Sequence, residues 1–404
     1  MTTNGTTHGV WALVRLDTGS VERAAWPVGL EDETGGLGGA AAGVRLLARH
    51  PEALVLACGP LTGVAAPGTC LLVATCAGPD GRPVHTPLLL RHGPALKAAG
   101  VDFLVLEGRA AEPALLTVEH RAIRLGPARD LAGADVFAMR SRLRARLPDA
   151  RPSLLLCGPA ARRGLACAAA SLEAGQSLDR GLLAGWLAAH NLLAVILAGG
   201  GSLPGPASLD TPLFAALSPQ HGPAGFVEVL GWYGSGMAVG SPPGRAAACH
   251  LCPRPCLAYL PGAAGPAGAE GGVLCADHAG YAALAAALGE AAPSALHACS
   301  RFGFDALALA PVLAGRGGED PAGLCAAWAE GRESLPAPAP APEAGAPSAP
   351  EAWAGGRRAA GMVLGICPIL MQRCPEVLLD LWTAGRWTGE TLNSAIAAAG
   401  LNAT

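Results

Sequence analysis

Short apolar runs bounded by glycine and proline recur along the first half of the chain. Leu54–Cys58 is one such run and Ser153–Cys157 is another, and a Gly-Pro pair follows each of them. Runs of this length with turn residues at their ends are typical of buried β-strands. The same pattern predicts strands over Val10–Leu16, Val21–Trp26, Cys70–Cys76, Val101–Glu107, Ala114–Val118 and Leu192–Leu197. We expect the Val101–Glu107 and Ala114–Val118 strands to form a pair.

Helix-like segments connect these strands. A glycine-rich turn over residues 35–39 precedes a segment that ends near His50, and Gly93–Gly100 has the pattern of a short helix with a C-terminal glycine. Residues 130–147 form an Arg-rich amphipathic pattern. Strands that alternate with helices predict a mixed α/β domain, which we place at residues 9–205.

The apolar stretch from Gly181 to Ala198 is almost long enough to span a membrane. Its centre holds the polar pair His190-Asn191, which is costly in lipid, and no flank rich in basic residues and no aromatic belt frames it. We therefore predict a short helix, a break at His190-Asn191 and then a buried strand.

The pattern becomes helical after residue 206. Ala/Leu-rich segments at helical spacing predict helices over residues 211–217, 223–231, 279–290, 293–301 and 303–315, and two more within 375–399. Proline alternates with other residues between 335 and 350, which predicts an extended linker. We expect an α+β chain, with a helical domain at 206–334, a linker at 335–352 and a helical segment at 353–404.

Composition narrows the classes of function. The 404 residues carry a net charge of −3 and only 15% are charged, so no electrostatic footprint for nucleic acid is present. The chain has 13 cysteines, but its N-terminus has neither the basic nor the apolar region of a secretory signal. Cys58, Cys70, Cys76, Cys157 and Cys167 stand in apolar runs, as buried free thiols do. These features predict a reducing cytoplasm.

The clearest candidate site is the loop that contains Cys249, Cys252 and Cys256. Its C-x2-C-x3-C spacing lets one loop direct three thiols at one metal centre, and two prolines favour an irregular loop over a helix. A fourth ligand must come from elsewhere: Cys367 is the candidate, and Cys374 is its rival. C-x2-C also occurs in zinc ribbons, but these normally bring a second such pair, which the sequence lacks.

Several segments in the same order resemble the aldehyde ferredoxin oxidoreductase family, which are tungstopterin and iron–sulfur enzymes. GGLGGAAAGVRLL is similar to the family's Gly-rich turn and helix, ACGPLTGVAAPG to its GPLTGT-x-AP segment, and LLCGPAARRG to its IGPAGE segment. SLDRGLLAGWLAAHNLLAVILAGG resembles the family's RGGLGA run. HACSRFGFDALAL and VLGICPI resemble its D-x-x-GLD and D-x-x-GLC motifs.

The resemblance implies an N-terminal domain that cradles tungsto- or molybdopterin, with helical domains behind it. It implies a 4Fe-4S cluster bound by Cys249, Cys252, Cys256 and Cys367. Arg180, Gly181, Asp305 and Gly365 fall on motif positions that contact the pterin. The implied reaction oxidises an aldehyde to its acid and passes electrons to ferredoxin or another electron-transfer protein.

This sequence departs from the family pattern around the pterin. The family arginine that lies between cluster and pterin falls on Cys70 or Leu71, and Ser300 and Met362 replace the leading Asp of the two D-x-x-GL motifs. Fewer residues separate Asp305 from Cys367 than in the family. The chain is therefore identified as a shortened, divergent member, and two alternatives to an active enzyme stay open. One is a non-catalytic electron-transfer or scaffold subunit that pairs with a full-length relative or a second copy, and the other is a zinc-stapled structural protein.

Overall fold

The computed structural model describes the N-terminal part almost continuously and the later part in segments. The described residues are 9–64, 68–120, 122–147, 152–173, 175–176, 181–201, 203, 245–247, 249–252, 257–260, 273–275, 278–336, 359–367, 389–399 and 401. The helices predicted at 211–217 and 223–231 lie outside these residues, and so do the first helix predicted within 375–399 and most of the linker.

Fifteen strands are described, in three sheets. They are β1 Val10–Arg15, β2 Val21–Ala25, β3 Leu54–Cys58, β4 Leu72–Ala77, β5 Pro83–Leu88, β6 Phe103–Glu107, β7 Ala114–Glu119, β8 Ala122–Pro127, β9 Ser153–Cys157, β10 Ala170–Leu172, β11 Gly175–Gln176, β12 Leu192–Ala198, β13 Arg245–Ala247, β14 Leu257–Leu260 and β15 Val273–Cys275.

The described helices connect the strands of the first half and dominate the second. They are α1 Leu30–Thr34, α2 Gly39–Arg49, α3 His92–Ala98, α4 Val136–Arg146, α5 Pro159–Arg162, α6 Leu182–Ala189, α7 His278–Leu288, α8 Ala292–Phe302, α9 Ala306–Ala314, α10 Pro321–Glu330 and α11 Gly389–Ala398. A helical turn also covers residues 359–364. The predicted α+β class is confirmed, with mixed α/β sheets followed by helices.

The N-terminal part contains two six-stranded sheets of the same topology. The first has the order β2-β1-β6-β3-β4-β5, and the second has the order β8-β7-β12-β9-β10-β11. Each has one parallel pair, β1 with β6 and β7 with β12, and its other pairs are antiparallel. The fold therefore repeats itself, with residues 10–107 forming a first half and residues 114–198 a second half.

Both sheets are covered on both faces, which explains the continuous apolar strands. Along β3, Leu54 and Leu56 face a large core that includes the helices, whereas Val55 faces a smaller core with α2. Along β9, Leu155 faces the large core and Leu154 packs with α4. A strand that is buried on both sides needs apolar residues at successive positions rather than at alternate ones.

The predicted strands are confirmed with small shifts at their ends, but one predicted pairing is wrong. The strands at Val101–Glu107 and Ala114–Val118 do not pair, because β6 lies between β1 and β3 whereas β7 lies between β8 and β12. The boundary between the two halves falls between them.

The strand β5 and the helix α10 were not predicted. Pro83 and Pro87 obscured β5, but β5 is an edge strand, where proline does not disrupt a hydrogen-bonded ladder. The start of α10 carries a signal that could have revealed it, because Asp320 precedes Pro321 and its carboxylate accepts from the Gly323 N–H at 2.9 Å.

The apolar stretch 181–198 divides as predicted. The helix α6 ends at Ala189, Asn191 adopts a left-handed conformation with φ of 56°, and β12 begins at Leu192. Among the described residues, none of the helices has both the length and the apolar character that crossing a membrane requires.

Candidate thiol site and its surroundings

The first half of the repeat closely contacts the segment that contains Cys367. The helical turn 359–364 ends at Gly365, which has φ of +86°. A Cβ atom on Gly59 would lie only 2.2 Å from the amide nitrogen of Gly365. Two residues later, the Cys367 N–H donates to the carbonyl oxygen of Gly68 at 2.7 Å. Backbone packing and this hydrogen bond therefore fix Cys367 against the loop after β3.

The second half of the repeat receives another segment in the same manner. The helix α8 ends at Gly303, which has φ of +77°, and a Cβ there would lie 3.0 Å from the Cα of Gly158. The Asp305 N–H donates to the carbonyl oxygen of Cys167 at 2.7 Å. Cys367 and Asp305 thus occupy equivalent places in the two halves, one with a thiol and the other with a carboxylate.

Three of the four predicted ligand cysteines converge on one region of the first half. Cys249 and Cys367 are buried and Cys252 is partly buried. All three lie near the thiol of Cys70, which is fully buried just before β4. The structure therefore brings together four thiols, including Cys70, which is one of the two residues at the position of the family arginine between cluster and pterin.

A backbone donor and a second thiol lie beside the sulfur of Cys249. The Leu90 N–H donates to the Cys249 sulfur at 3.4 Å, and the Cys70 thiol shares a hydrogen bond with it. The interaction with Cys70 is the main influence that lowers the pKa of Cys249. The same interaction, followed by burial, raises the pKa of Cys70 well above its ordinary value.

The loop that contains Cys249 is fixed to the end of β5. The His250 N–H donates to the carbonyl oxygen of Leu90 at 2.9 Å, and the Cys252 N–H donates to the Cys249 carbonyl at 3.1 Å. Leu251 between them has φ of +52°. The imidazole Nε2 of His250 is buried and has no hydrogen-bond partner within the described parts of the chain. Burial, followed by the nearby charge of Arg91, lowers the pKa of His250.

Thiolates are the donors that zinc and iron–sulfur clusters take. The remaining predicted ligand, Cys256, and its rival, Cys374, both lie outside the described residues. Within the described residues, no three side chains of His, Cys, Asp or Glu are spaced to hold a single metal ion.

The residues predicted to contact a pterin have structural roles where they are described. The Asp305 carboxylate caps α9 by accepting from the Ala308 N–H at 3.0 Å. Gly365 contacts Thr62 closely enough that a Cβ there would lie 2.2 Å from the Thr62 hydroxyl oxygen. Gly181, with φ of +95°, is the N-cap residue that precedes α6. Arg180 lies outside the described residues.

A second buried thiol pair lies in the helical part of the chain. Cys299 of α8 and Cys325 of α10 are both fully buried and hydrogen-bond to each other. That hydrogen bond, followed by burial, raises the pKa of Cys299, with Asp305 and Cys167 as lesser influences. The Cys167 thiol donates to the carbonyl oxygen of Ala308 at 3.8 Å. This pair is associated with the second half of the repeat.

The only lysine in the sequence, Lys97, is buried in the last turn of α3. It forms an ion pair with Asp102, and the two side chains are 7% and 9% exposed.

An open cavity of about 480 Å³ lies at the end of the first sheet's strands that is opposite to the thiols. It is lined by the end of β6 and the start of β3, whereas the thiols lie beyond the end of β3. Glu107 in its wall forms an ion pair with Arg15 at 3.0 Å and contacts His50 at 2.8 Å. None of the site residues predicted from the sequence lines this cavity, so the thiol group is the candidate site.

The arrangement of the chain is shared with a solved redox enzyme. The active-site complex BamBC of benzoyl-coenzyme A reductase, solved with 1,5-dienoyl-CoA, aligns with 96% of this chain with a TM-score of 0.59 and 15% identity. The aligned region covers 64% of the BamBC chain. At this identity the likeness shows a common fold.

Sequence comparison identifies the N-terminal domain. Residues 12–199 match the model of the aldehyde ferredoxin oxidoreductase N-terminal domain. The tungsten-containing aldehyde ferredoxin oxidoreductase of Pyrococcus furiosus is 27% identical over 152 residues, which are 37% of this chain and 25% of that protein. Its counterpart from Pyrococcus abyssi is 27% identical over 147 residues, covering 36% and 24%.

The family resemblance predicted from the sequence is therefore confirmed over residues 12–199, which match the model of the aldehyde ferredoxin oxidoreductase N-terminal domain. The matched region spans about a quarter of the length of these curated relatives.

Proposed function

We propose that the chain is a redox protein of the aldehyde ferredoxin oxidoreductase type that binds a 4Fe-4S cluster through Cys249, Cys252, Cys256 and Cys367. The observation that carries this proposal is the convergence of Cys249, Cys252 and Cys367 on one buried region from two distant parts of the chain. A 4Fe-4S cluster takes four cysteine thiolates, and Cys256 follows Cys252 closely enough to be the fourth.

The surroundings of the thiols suit thiolate ligands. The Leu90 N–H donates to the Cys249 sulfur at 3.4 Å, and the Cys70 thiol lies beside that sulfur. Such hydrogen bonds compensate part of the negative charge that a thiolate ligand retains. The backbone of Cys367 is held by Gly68, so this ligand is positioned before a cluster binds. The buried His250 Nε2 has no partner among the described residues, and a bound group would satisfy such a polar atom.

In the enzymatic form of the proposal, the chain oxidises an aldehyde-type substrate with water to the acid, with release of two electrons and two protons. A bound tungsto- or molybdopterin would supply the two-electron chemistry, and the cluster would pass the electrons singly to ferredoxin. The support for this form is the family match over residues 12–199 and the similarity to the Pyrococcus relatives, which are tungsten-containing aldehyde ferredoxin oxidoreductases. The cytoplasm is the proposed compartment.

A specific observation favours the alternative form, a non-catalytic electron-transfer or scaffold subunit that has lost pterin binding. The Asp305 carboxylate accepts from the Ala308 N–H at the start of α9, which is an ordinary helix-capping role. Gly365 is packed against Thr62 and Gly59, so its lack of a side chain also has a structural explanation. A full-length relative or a second copy of the chain would be the partner of such a subunit.

Metal analysis of anaerobically purified protein distinguishes these forms. Iron at about four atoms per chain together with tungsten or molybdenum is expected for the enzyme. Iron at that ratio without tungsten or molybdenum is expected for the electron-transfer subunit. Zinc without iron would contradict both redox forms and support a zinc-stapled protein.

A matched pair of variants tests the ligand assignment. Cys252→Ser should abolish the visible absorbance and the iron content of the cluster, because Cys252 is a proposed ligand. Cys325→Ser changes a buried thiol of the other pair and should leave both unchanged. Full iron content in Cys252→Ser would remove residues 249–256 from the ligand set.

A further inference from the structure

His92, at the start of α3, is a fully buried histidine that joins the two halves of the N-terminal domain. Its Nδ1 lies 2.8 Å from the carbonyl oxygen of Leu89, which directly follows β5 of the first sheet. Its Nε2 lies 3.1 Å from the carbonyl oxygen of Leu154, in β9 of the second sheet. Both ring nitrogens of one side chain therefore face carbonyl oxygens, one from each half.

These two partners decide how many protons the imidazole of His92 carries. A carbonyl oxygen only accepts hydrogen bonds, and a neutral imidazole has a single N–H. A neutral ring would therefore point the lone pair of one nitrogen at a lone pair of oxygen, away from solvent. Turning the ring over would place carbon atoms against both carbonyls and lose both hydrogen bonds. An imidazolium has two N–H groups, and hydrogen bonds of this kind favour the charged form.

His85 is a contrasting histidine in the same half. Its Nδ1 lies 2.9 Å from the Thr75 hydroxyl, and its Nε2 lies 3.0 Å from the carbonyl oxygen of Ala399. A hydroxyl can donate as well as accept, so a neutral ring with its proton on Nε2 satisfies both partners. Burial also lowers the pKa of His85, which favours the neutral ring. His85 is therefore a matched control for His92.

The turn that His92 contacts also receives the cysteine loop. Leu90 follows Leu89 and has φ of +67°, a left-handed conformation that is unfavourable for a side chain of this size. The Leu90 N–H donates to the Cys249 sulfur at 3.4 Å, and its carbonyl oxygen accepts from the His250 N–H at 2.9 Å. A strained backbone persists only where its surroundings hold it. The hydrogen bond from His92 to Leu89 acts directly beside the strained residue.

We propose that His92 is a buried imidazolium that bridges the two halves through both ring N–H groups and thereby holds the Leu89–Leu90 turn that contacts Cys249. His92 is a positioning residue in this role, because it acts on the cysteine loop through the backbone of the turn. The charge of the ring is independent of any bound group. The effect on metal binding rests on the proposed cluster site.

The first test observes the ring protons by nitrogen nuclear magnetic resonance. The full chain is prepared with isotopically labelled histidine, and spectra are recorded at neutral pH. The signals are assigned by their loss in His92→Asn and in His85→Gln. Both nitrogens of His92 should have the chemical shift of a protonated ring nitrogen, whereas His85 should show one unprotonated nitrogen. An unprotonated nitrogen in His92 would overturn the inference.

The second test measures the rate at which a chelator removes iron from anaerobically purified protein. His92→Leu has neither donor and should release iron about tenfold faster than the wild type, as is usual when a group that orients a metal ligand is removed. His92→Asn places its amide nitrogen near the position of Nδ1 and can still donate to Leu89, so its rate should lie between the two. A wild-type rate in His92→Leu contradicts the positioning role.

His85→Leu is the control for the second test, because it removes another imidazole with two hydrogen bonds from the first half. It should release iron at the wild-type rate, and the same acceleration in both leucine variants would also overturn the inference. If His92→Leu does not fold, His92→Asn decides, and a wild-type rate in that variant contradicts the positioning role. Absence of iron from the wild-type protein rejects the proposed function, and the ring spectra still decide the charge of His92.

Discussion

The two halves of the N-terminal domain share one topology. At equivalent places, however, each half contacts a segment that carries a different side chain. In the first half, Gly59 packs against Gly365, and Cys367 follows two residues later. In the second half, Gly158 packs against Gly303, and Asp305 follows two residues later. The hydrogen bonds also correspond, since both Gly365 and Gly303 donate to the carbonyl four residues earlier, at 2.9 and 2.8 Å.

The difference between the halves lies in what surrounds this common backbone. The first half receives the loop of Cys249 and Cys252, and Cys70 adds a fourth thiol. The second half places the Asp305 carboxylate at the start of α9, where it caps a helix. Two halves with the same backbone can thus contact different groups. The first half contacts a thiol, which is a soft metal donor, and the second half contacts a carboxylate that caps a helix. The same fold in both halves therefore does not imply the same chemical site in both halves.

The largest expected difference between the halves is in metal content. Cys367→Ala should lose the cluster iron, because this residue is a proposed ligand. Asp305→Ala should keep the iron and lower the free energy of unfolding by about 1 kcal/mol, which is the usual cost of a lost helix cap. Iron analysis and urea denaturation measure the two effects. Loss of iron from Asp305→Ala would show that both halves hold the metal centre.

The second difference between the halves is a buried ion pair. Asp102 precedes β6 and pairs with Lys97, whereas Asn191 precedes β12 and donates to the carbonyl oxygen of Ala110. Lys97→Met should cost about 3–5 kcal/mol of unfolding free energy, because it leaves the Asp102 charge buried and unpaired.

The control for this prediction is Arg124→Met, which breaks the exposed ion pair with Glu119. That variant should cost less than about 1 kcal/mol. Chemical denaturation compares the two variants, and equal costs would contradict the importance of burial for the Lys97 pair.

The effect of a larger side chain at Gly59 and Gly158, which occupy equivalent places, should also differ between the halves. A Cβ on Gly59 would lie 2.2 Å from the backbone of the Gly365 segment, whereas a Cβ on Gly158 would lie 2.8 Å from the Phe302 carbonyl oxygen. We expect Gly59→Ala to destabilise by about 3 kcal/mol and Gly158→Ala by about 1 kcal/mol, within the usual range for overpacking. Gly133→Ala meets no atom within 4 Å and is the control. Thermal melting measures all three, and a reversed order would contradict the closer contact in the first half.

The smallest expected effect concerns pH. His85 of β5 contacts the Thr75 hydroxyl and the Ala399 carbonyl oxygen, so it ties the end of α11 to the first sheet. Burial lowers the pKa of His85 below 6.5, although the hydrogen bond to Ala399 opposes the shift. A depressed pKa means that the unfolded chain binds the proton more readily, so this stability is present above pH 6.5 and is lost as the pH falls below it.

The measurement is the melting temperature of the wild type and of His85→Gln between about pH 7.5 and about pH 5. The wild type should lose more stability than the variant on acidification. Parallel curves would show that His85 does not contribute. The second half offers no counterpart, because the equivalent edge strand is Gly175–Gln176.

Prediction from the sequence succeeded where the signal is local. The break at His190-Asn191 was predicted, because a helix end and a buried strand each leave their mark within a few residues. The β5 edge strand was missed because its two prolines are unfavourable except at a sheet edge, and only the sheet order shows where the edge is. Cys70 was missed for a similar reason, since its neighbours in space are 20 or more residues away along the chain.

The sequence by itself determined the apolar buried strands, the break between α6 and β12 and the three spaced cysteines, because periodicity, turn residues and ligand spacing are properties of short segments. The tertiary structure decided that two sheets repeat one topology, that Cys367 and Asp305 are equivalent, and that Cys70 lies beside Cys249. These depend on which strands pair and which glycines allow two backbones to approach. Such contacts join segments far apart in the chain, and no local pattern contains them.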